Sequence, residues 1–169
     1  MVLYMLDTDI SSYLIRGDHP EVTEAFRKYF PNCCISCMTT AELLFGAKKR
    51  NSKILTQNVK AYCDLVPIRD WTADAARAYA GIRLETEANG TPLGSMDMLI
   101  AASAMAEGAI LVTNNTAHFS KVSKLKIENW TNESLDTFRA LRTQAKESGI
   151  SGLPLSGINA EICKARKKQ

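Results

Sequence analysis

Residues 94–115, GSMDMLIAASAMAEGAILVTNN, constrain this chain more than any other stretch. Across residues 98–106 almost every side chain is apolar or small. A helix with no polar face has no side to give to water, so it must be buried. Ser95 is placed to cap that helix, which leaves Asp97 in its first turn. Gly108 suits the stop. Residues 109–112 then read as a short apolar strand of the kind buried in a parallel sheet. Thr113, Asn114 and Asn115 crowd the strand's C-terminal end. One carboxylate and one amide cluster therefore stand at the edges of a very apolar helix–strand unit.

The chain before this unit follows the same alternation. Residues 2–6 form an apolar strand ending in Asp7, Thr8 and Asp9. A short helix over 10–15 ends near Gly17, and a second covers 21–30. A strand at 33–36 precedes a helix capped by Thr39 or Thr40, which carries Glu42 and ends at Lys48-Lys49-Arg50. A helix over 53–64 has Ile54, Leu55, Val59 and Tyr62 on one side, and a strand follows at 65–68. Thr72 caps a helix with Ala75, Ala76, Tyr79, Ile82 and Leu84 at helical spacing. After the central unit, 116–122 is a turn or short helix and 125–130 a last strand. Strands alternating with helices predict the α/β class, a parallel sheet covered on both faces. Ligands of such sheets sit beyond the strands' C-terminal ends, where strand order reverses.

Composition excludes several classes. At 169 residues the chain is long enough for a domain with a full core. Its 46% hydrophobic and 23% charged content is that of a soluble globular protein. No apolar run reaches the roughly 18 residues of a membrane span. The first six residues read as a strand rather than a signal peptide, so the expected location is the cytoplasm. Five cysteines are an odd number, and free thiols are expected. The C-C-x-x-C cluster at 33–37 has no second pair and no nearby histidine, which argues against zinc. The net charge of +3 resides wholly in residues 131–169, because 1–130 carry equal numbers of basic and acidic side chains. Any nucleic acid would have to be met by a local patch.

Three acids and an amide fall at the predicted ligand edge: Asp7 after the first strand, Glu42 and Asp97 in first helical turns, and Asn115 past a later strand. Each alone has a simpler reading. Asp7 or Asp9 can cap a helix, Thr39-x-x-Glu42 matches a capping box, and Asp97 complements a helix dipole. Together they carry more. Three carboxylates brought close raise one another's pKa unless a cation lies between them. Hard oxygen ligands without Cys or His suit Mg²⁺ or Mn²⁺. Such a site can activate water and hold the attacking and leaving oxygens of a phosphodiester. No rival nucleophile stands out: Ser95 and Ser103 lack a histidine partner, and no glycine-rich phosphate loop is present.

LDTDISSYL, TTAELLFGA, DMLIAASAMAEGAILVTNNTAHF and a closing IENW, in that order over about residues 1–130, resemble a PIN-domain ribonuclease. More specifically they resemble the VapC-like toxins of bacterial toxin–antitoxin pairs. The resemblance implies a three-layer α/β/α sandwich, a Mg²⁺- or Mn²⁺-dependent endoribonuclease, a homodimer, an RNA substrate with tRNA among the choices, and a cognate antitoxin. It implies Asp7, Glu42 and Asp97 as metal-binding acids. Asn115 stands where many PIN domains have a fourth Asp, although toxin-type members often carry Asn there. Thr8, Asp9 and Thr113 match the polar surround of the acids; Asp9 either adds charge to the site or caps the first helix. His118 either contacts phosphate or packs a turn with Phe119. Lys48, Lys49 and Arg50 either complement a helix dipole or meet RNA backbone. Trp71 and Trp130 are expected to be packed.

The division predicted is a nuclease domain at 1–130 and a helical basic extension at 131–169. The extension has three readings: a loosely packed basic end, a recruiter of RNA, or an inhibitory segment resembling an antitoxin's toxin-binding end. In the third, Arg166, with Lys164 second, approaches the acids. The alternative for the whole chain is a catalytically silent PIN-fold module that binds RNA or protein.

Overall fold

A computed structural model of the protein describes residues 2–132. In chain order the elements are β1 (Tyr4–Leu6), α1 (Thr8–Arg16), α2 (Pro20–Tyr29), β2 (Cys33–Ser36), α3 (Cys37–Lys49), α4 (Lys53–Leu65), β3 (Ile68–Arg69), α5 (Ala73–Ala88), α6 (Ser95–Ala106), β4 (Ile110–Val112), α7 (Thr116–Phe119) and β5 (Ile127–Glu128). The five strands form one sheet in the order β3-β2-β1-β4-β5. Every pairing is parallel. Strand order therefore reverses at β1, with β2 on one side and β4 on the other.

Alternating side chains of each strand go to opposite faces of the sheet. Leu6, Ile35 and Val112 join a core built with α1, α2, α3 and α4, through Ile10, Val22, Phe26, Leu43 and Val59. Met5, Cys34 and Leu111 join a second core with α5 and α6, through Ile82, Met98 and Ile100. Both faces are covered, so the fold is the three-layer α/β/α sandwich. The expectation that α6 is buried holds: Ile100, Ala101, Ala102 and Ala104 are fully shielded. Its small side chains let it lie close against α5 and the sheet. Trp130 is also fully buried and meets the rings of Tyr4 and Tyr29.

Several local expectations need correction. Ser95 does not cap α6; it is the first helical residue, and Gly94 holds the cap position without a side-chain bond. Neither Thr39 nor Thr40 caps α3. Ser36 does, its Oγ accepting from the Thr39 N–H at 3.0 Å, so β2 passes into α3 without a loop. The capping box is therefore absent, and Glu42 lies beyond the first turn. Ile54 and Leu84 lie in water, 72% and 73% exposed, rather than on packed faces. β3 begins at Ile68, later than expected. The last strand is only Ile127–Glu128, and Trp130 belongs to the 3₁₀ turn Trp130–Asn132. Beyond residue 132 the predicted extension, with Arg166 and Lys164, lies outside the described residues.

Candidate functional site

Asp7 leaves the sheet at the reversal point. Its backbone N–H donates to the Val112 carbonyl at 2.9 Å, extending the β1–β4 ladder by one bond. The side chain then turns to cap α1, with Oδ1 accepting from the Thr8 N–H at 2.7 Å. Oδ2 accepts from the Thr113 hydroxyl, also at 2.7 Å. Asp7 is 5% exposed and Thr113 fully buried. The simple capping reading of Asp7 is thus correct as far as it goes, and Asp9 is left in the first turn as an exposed charge rather than a cap.

Thr8 ties two acids together. Its N–H holds Asp7, and its hydroxyl donates to Glu42 Oε2 at 2.5 Å. That contact brings α3 to the start of α1. Glu42 also lines a cavity of about 200 Å³ between α1, α3 and α4, whose wall includes Thr8, Arg16 and Arg50. Of the three basic residues that end α3, Arg50 shares this wall with the acid, while Lys49 lies over the Phe45 ring.

Asp97 comes from the first turn of α6, half-buried. Its Oδ2 is 3.8 Å from His118 Nε2. A Cβ placed on Gly94 would come within 3.2 Å of the same oxygen. Asn115, exposed at the start of α7, puts its side-chain nitrogen 3.0 Å from His118 Nδ1. His118 is half-buried with its ring 6.4 Å from that of the buried Phe119, as expected of a residue packing the turn, and it also holds Asn115. Asn114 turns away from the acids toward the Tyr13 hydroxyl, Asn129 and Thr131. The link Asn115-x-x-His118 was not legible beforehand, because it depends on a one-turn helix that periodicity does not register.

Electrostatically the site is strained toward neutrality. Burial is the main cause that pushes the Asp7 carboxyl up to about 6, and the charges of Asp9 and Asp97 push the same way. The hydrogen bonds from Thr113 and Thr8 oppose this. Among the described residues no three His, Cys, Asp or Glu side chains converge as a ready-made metal cage. The donors are nevertheless all hard oxygens. An ion such as Mg²⁺, which keeps several waters and takes one or two carboxylates, fits such an open edge. Each Asp7 oxygen accepts one hydrogen bond and retains a second lone pair for a cation.

A doubly covered parallel sheet with acids at its reversal point defines a class, and a family model described as PIN domain matches residues 4–125. The chain is 35% identical to the tRNA(fMet)-specific endonuclease VapC of Shigella flexneri over 133 residues, 77% of this chain and 99% of that protein. It is 36% identical to ribonuclease VapC of Haemophilus influenzae, with the same coverage. VapBC from Salmonella typhimurium, solved bound to DNA, has a chain that superposes with a TM-score of 0.71 at 32% identity, covering 77% of this chain and 99% of that one. VapBC2 from Rickettsia felis, bound to a promoter DNA fragment, gives 0.70 at 34% identity, covering 76% and 99%. The chain belongs to the PIN-domain family, among its VapC ribonucleases.

Proposed function

We propose that the chain is an endoribonuclease toxin that hydrolyses RNA phosphodiester bonds at the edge formed by Asp7, Glu42 and Asp97, with Mg²⁺ or Mn²⁺. The observation that carries this is Asp7: nearly inaccessible, raised toward neutrality, and doubly hydrogen-bonded in an orientation that a mere cap does not require. The hydrogen bonds from Thr113 and Thr8 offset only part of the cost of burying this charge beside Asp9 and Asp97, and a cation would offset the rest.

A divalent cation at this edge supplies Lewis acidity, which makes bound water more acidic and offsets charge on the phosphate. The protein's own groups do the rest. Thr113 and Thr8 fix both oxygens of Asp7, so the carboxylate meets an ion without searching rotamers. Thr8 holds Glu42 on the neighbouring side. Asp97 contributes the third charge from α6. The Asn115 amide is neutral and is suited to orienting water or a phosphate oxygen. Water adds to phosphorus, one phosphorus–oxygen ester bond breaks, and no covalent enzyme intermediate forms. Arg50 in the adjoining cavity offers a cation to flanking phosphates, whereas Arg16 on the same wall is paired with Asp18 at 2.6 Å.

Other parts of this reading rest on the relatives. Structural neighbours are toxin–antitoxin complexes, which supports an antitoxin partner. The VapC relatives are matched over 99% of their length by 77% of this chain, which supports a nuclease domain at 1–130 and an extension beyond it. Phe45, 66% exposed beside Leu44 on α3, offers an apolar patch to a second copy, which supports a homodimer. Among the described residues no helix is long and apolar enough to cross a membrane. A cytoplasmic setting, beside its RNA, completes the reading.

The deciding experiment is RNA cleavage in Mn²⁺ by the full chain and by Asp97→Asn. Discrete products, absent in EDTA and reduced at least about 100-fold in the variant, are expected. A variant that cleaves at the wild-type rate overturns the assignment of the site. A folded protein that binds RNA and never cleaves it, either as the full chain or as residues 1–132, favours the silent binding module.

A further inference from the structure

We infer that His118 is a positioning residue for the acid edge: it holds the Asn115 amide on one ring nitrogen and confines the Asp97 carboxylate with the other. This rests on the proposed metal site and deepens it. The Asn115 side-chain nitrogen, 3.0 Å from Nδ1, is a donor, so Nδ1 accepts. The ring proton then sits on Nε2, the nitrogen facing Asp97 Oδ2. At 3.8 Å this is an electrostatic contact rather than a hydrogen bond. It is nonetheless aimed, because the other end of the ring is fixed. The same Oδ2 is bounded elsewhere by Gly94, where even one added methyl would stand 3.2 Å away. Asp97 Oδ2 thus lies between a glycine that leaves it room and an imidazole that faces it, which favours Oδ1 as the oxygen turned to an ion.

The arrangement also joins two parts of the chain that the sheet does not pair. Asp97 belongs to α6, and Asn115 and His118 to the β4–α7 segment. Among the described residues no other hydrogen bond reaches the Asn115 side chain; its backbone is held by its N–H, which donates to the Thr113 hydroxyl at 3.0 Å, and by its carbonyl, which accepts from the His118 and Phe119 N–H groups. One ring therefore holds the amide and faces the acid that serve the same edge. Groups that orient metal-binding side chains from behind alter metal affinity by roughly 10–100-fold when removed.

Three variants of the full chain separate the two contacts. His118→Ala removes both. His118→Gln keeps a donor near the Nε2 position, and His118→Asn keeps a polar group near Nδ1. The primary readout is Mn²⁺ binding to the RNA-free protein by electron paramagnetic resonance; the second is the kcat and KM of RNA cleavage. His118→Ala is expected to weaken Mn²⁺ by about 10-fold, with kcat falling and KM for RNA little changed. His118→Gln is expected to restore most of the affinity and His118→Asn little of it. Wild-type Mn²⁺ affinity in His118→Ala overturns the inference, and so does equal behaviour of the Gln and Asn variants. A wild-type chain that binds no Mn²⁺ overturns the metal reading and this inference with it; a wild type that binds Mn²⁺ while His118→Ala matches it overturns the inference alone.

Discussion

Asp7 carries the largest electrostatic cost described in the site, and the sign of that cost is testable. Its folded carboxyl sits at about 6 against 3.8 for an unperturbed one. The folded chain therefore holds the proton more tightly than the unfolded chain. Stability from this group is fully present below about pH 4 and is lost as pH rises through 6. In EDTA, urea unfolding should show stability falling across that window by on the order of 3 kcal/mol, other titrations aside. A flat or rising profile would refute the burial argument. Asp7→Asn removes the charge and keeps the shape, and its amide can still accept from Thr8 N–H. It should unfold at higher urea than wild type at pH 8, by about 1–2 kcal/mol, and should not cleave RNA. How much of the site was legible follows the same chemistry. Asp7, Thr8 and Thr113 adjoin strand ends, so strand assignment places them. His118 meets the Phe119 ring, as its place in the turn suggests, but its approach to Asp97 is a three-dimensional meeting that spacing along the chain does not encode.

At the scale of elements, the alternation of buried strands and amphipathic helices was plain because two cores demand it: Leu6 and Met5, adjacent in sequence, feed opposite faces. Boundaries were harder where one residue serves two elements. Ser36 ends β2 and caps α3 at once, fully buried, with its hydroxyl also 3.0 Å from that of Thr39. A zero-residue connection leaves no turn signal, so the nearby threonines looked like the cap. β3 was misplaced for a related reason. Both of its residues are exposed edge positions, without the apolar alternation that marks a strand. The cap has a consequence for stability. Ser36→Ala should cost about 1–2 kcal/mol, since it removes the cap and leaves the buried Thr39 hydroxyl without this partner. Thr40→Ala should cost clearly less, because Thr40 only returns a bond to the Ser36 carbonyl. Equal urea midpoints for the two would show that the cap is not where the geometry puts it.

At the scale of the molecule, the charge asymmetry of the sequence gives the extension a test. The expected outcome is inhibition: residues 1–132, which carry all the described elements, should cleave RNA faster in Mn²⁺ than the full chain, measured as initial rate per mole of folded protein. Slower cleavage by the shorter form would mean that the basic extension recruits RNA instead. The edge itself is assembled from distant stretches. The bond from Thr113 to Asp7 spans 106 residues, and the one from Thr8 to Glu42 spans 34. Synthesis runs at roughly 5–20 residues per second, so about 5–20 s separate the making of Asp7 from that of Thr113. Through that interval the emerging chain has its first acid but not the hydroxyl that fixes it, and β1 has no β4 to pair with. A ribonuclease born beside messenger and transfer RNA is thus harmless for most of its own translation. Its acid edge is complete only once nearly all of the sandwich exists.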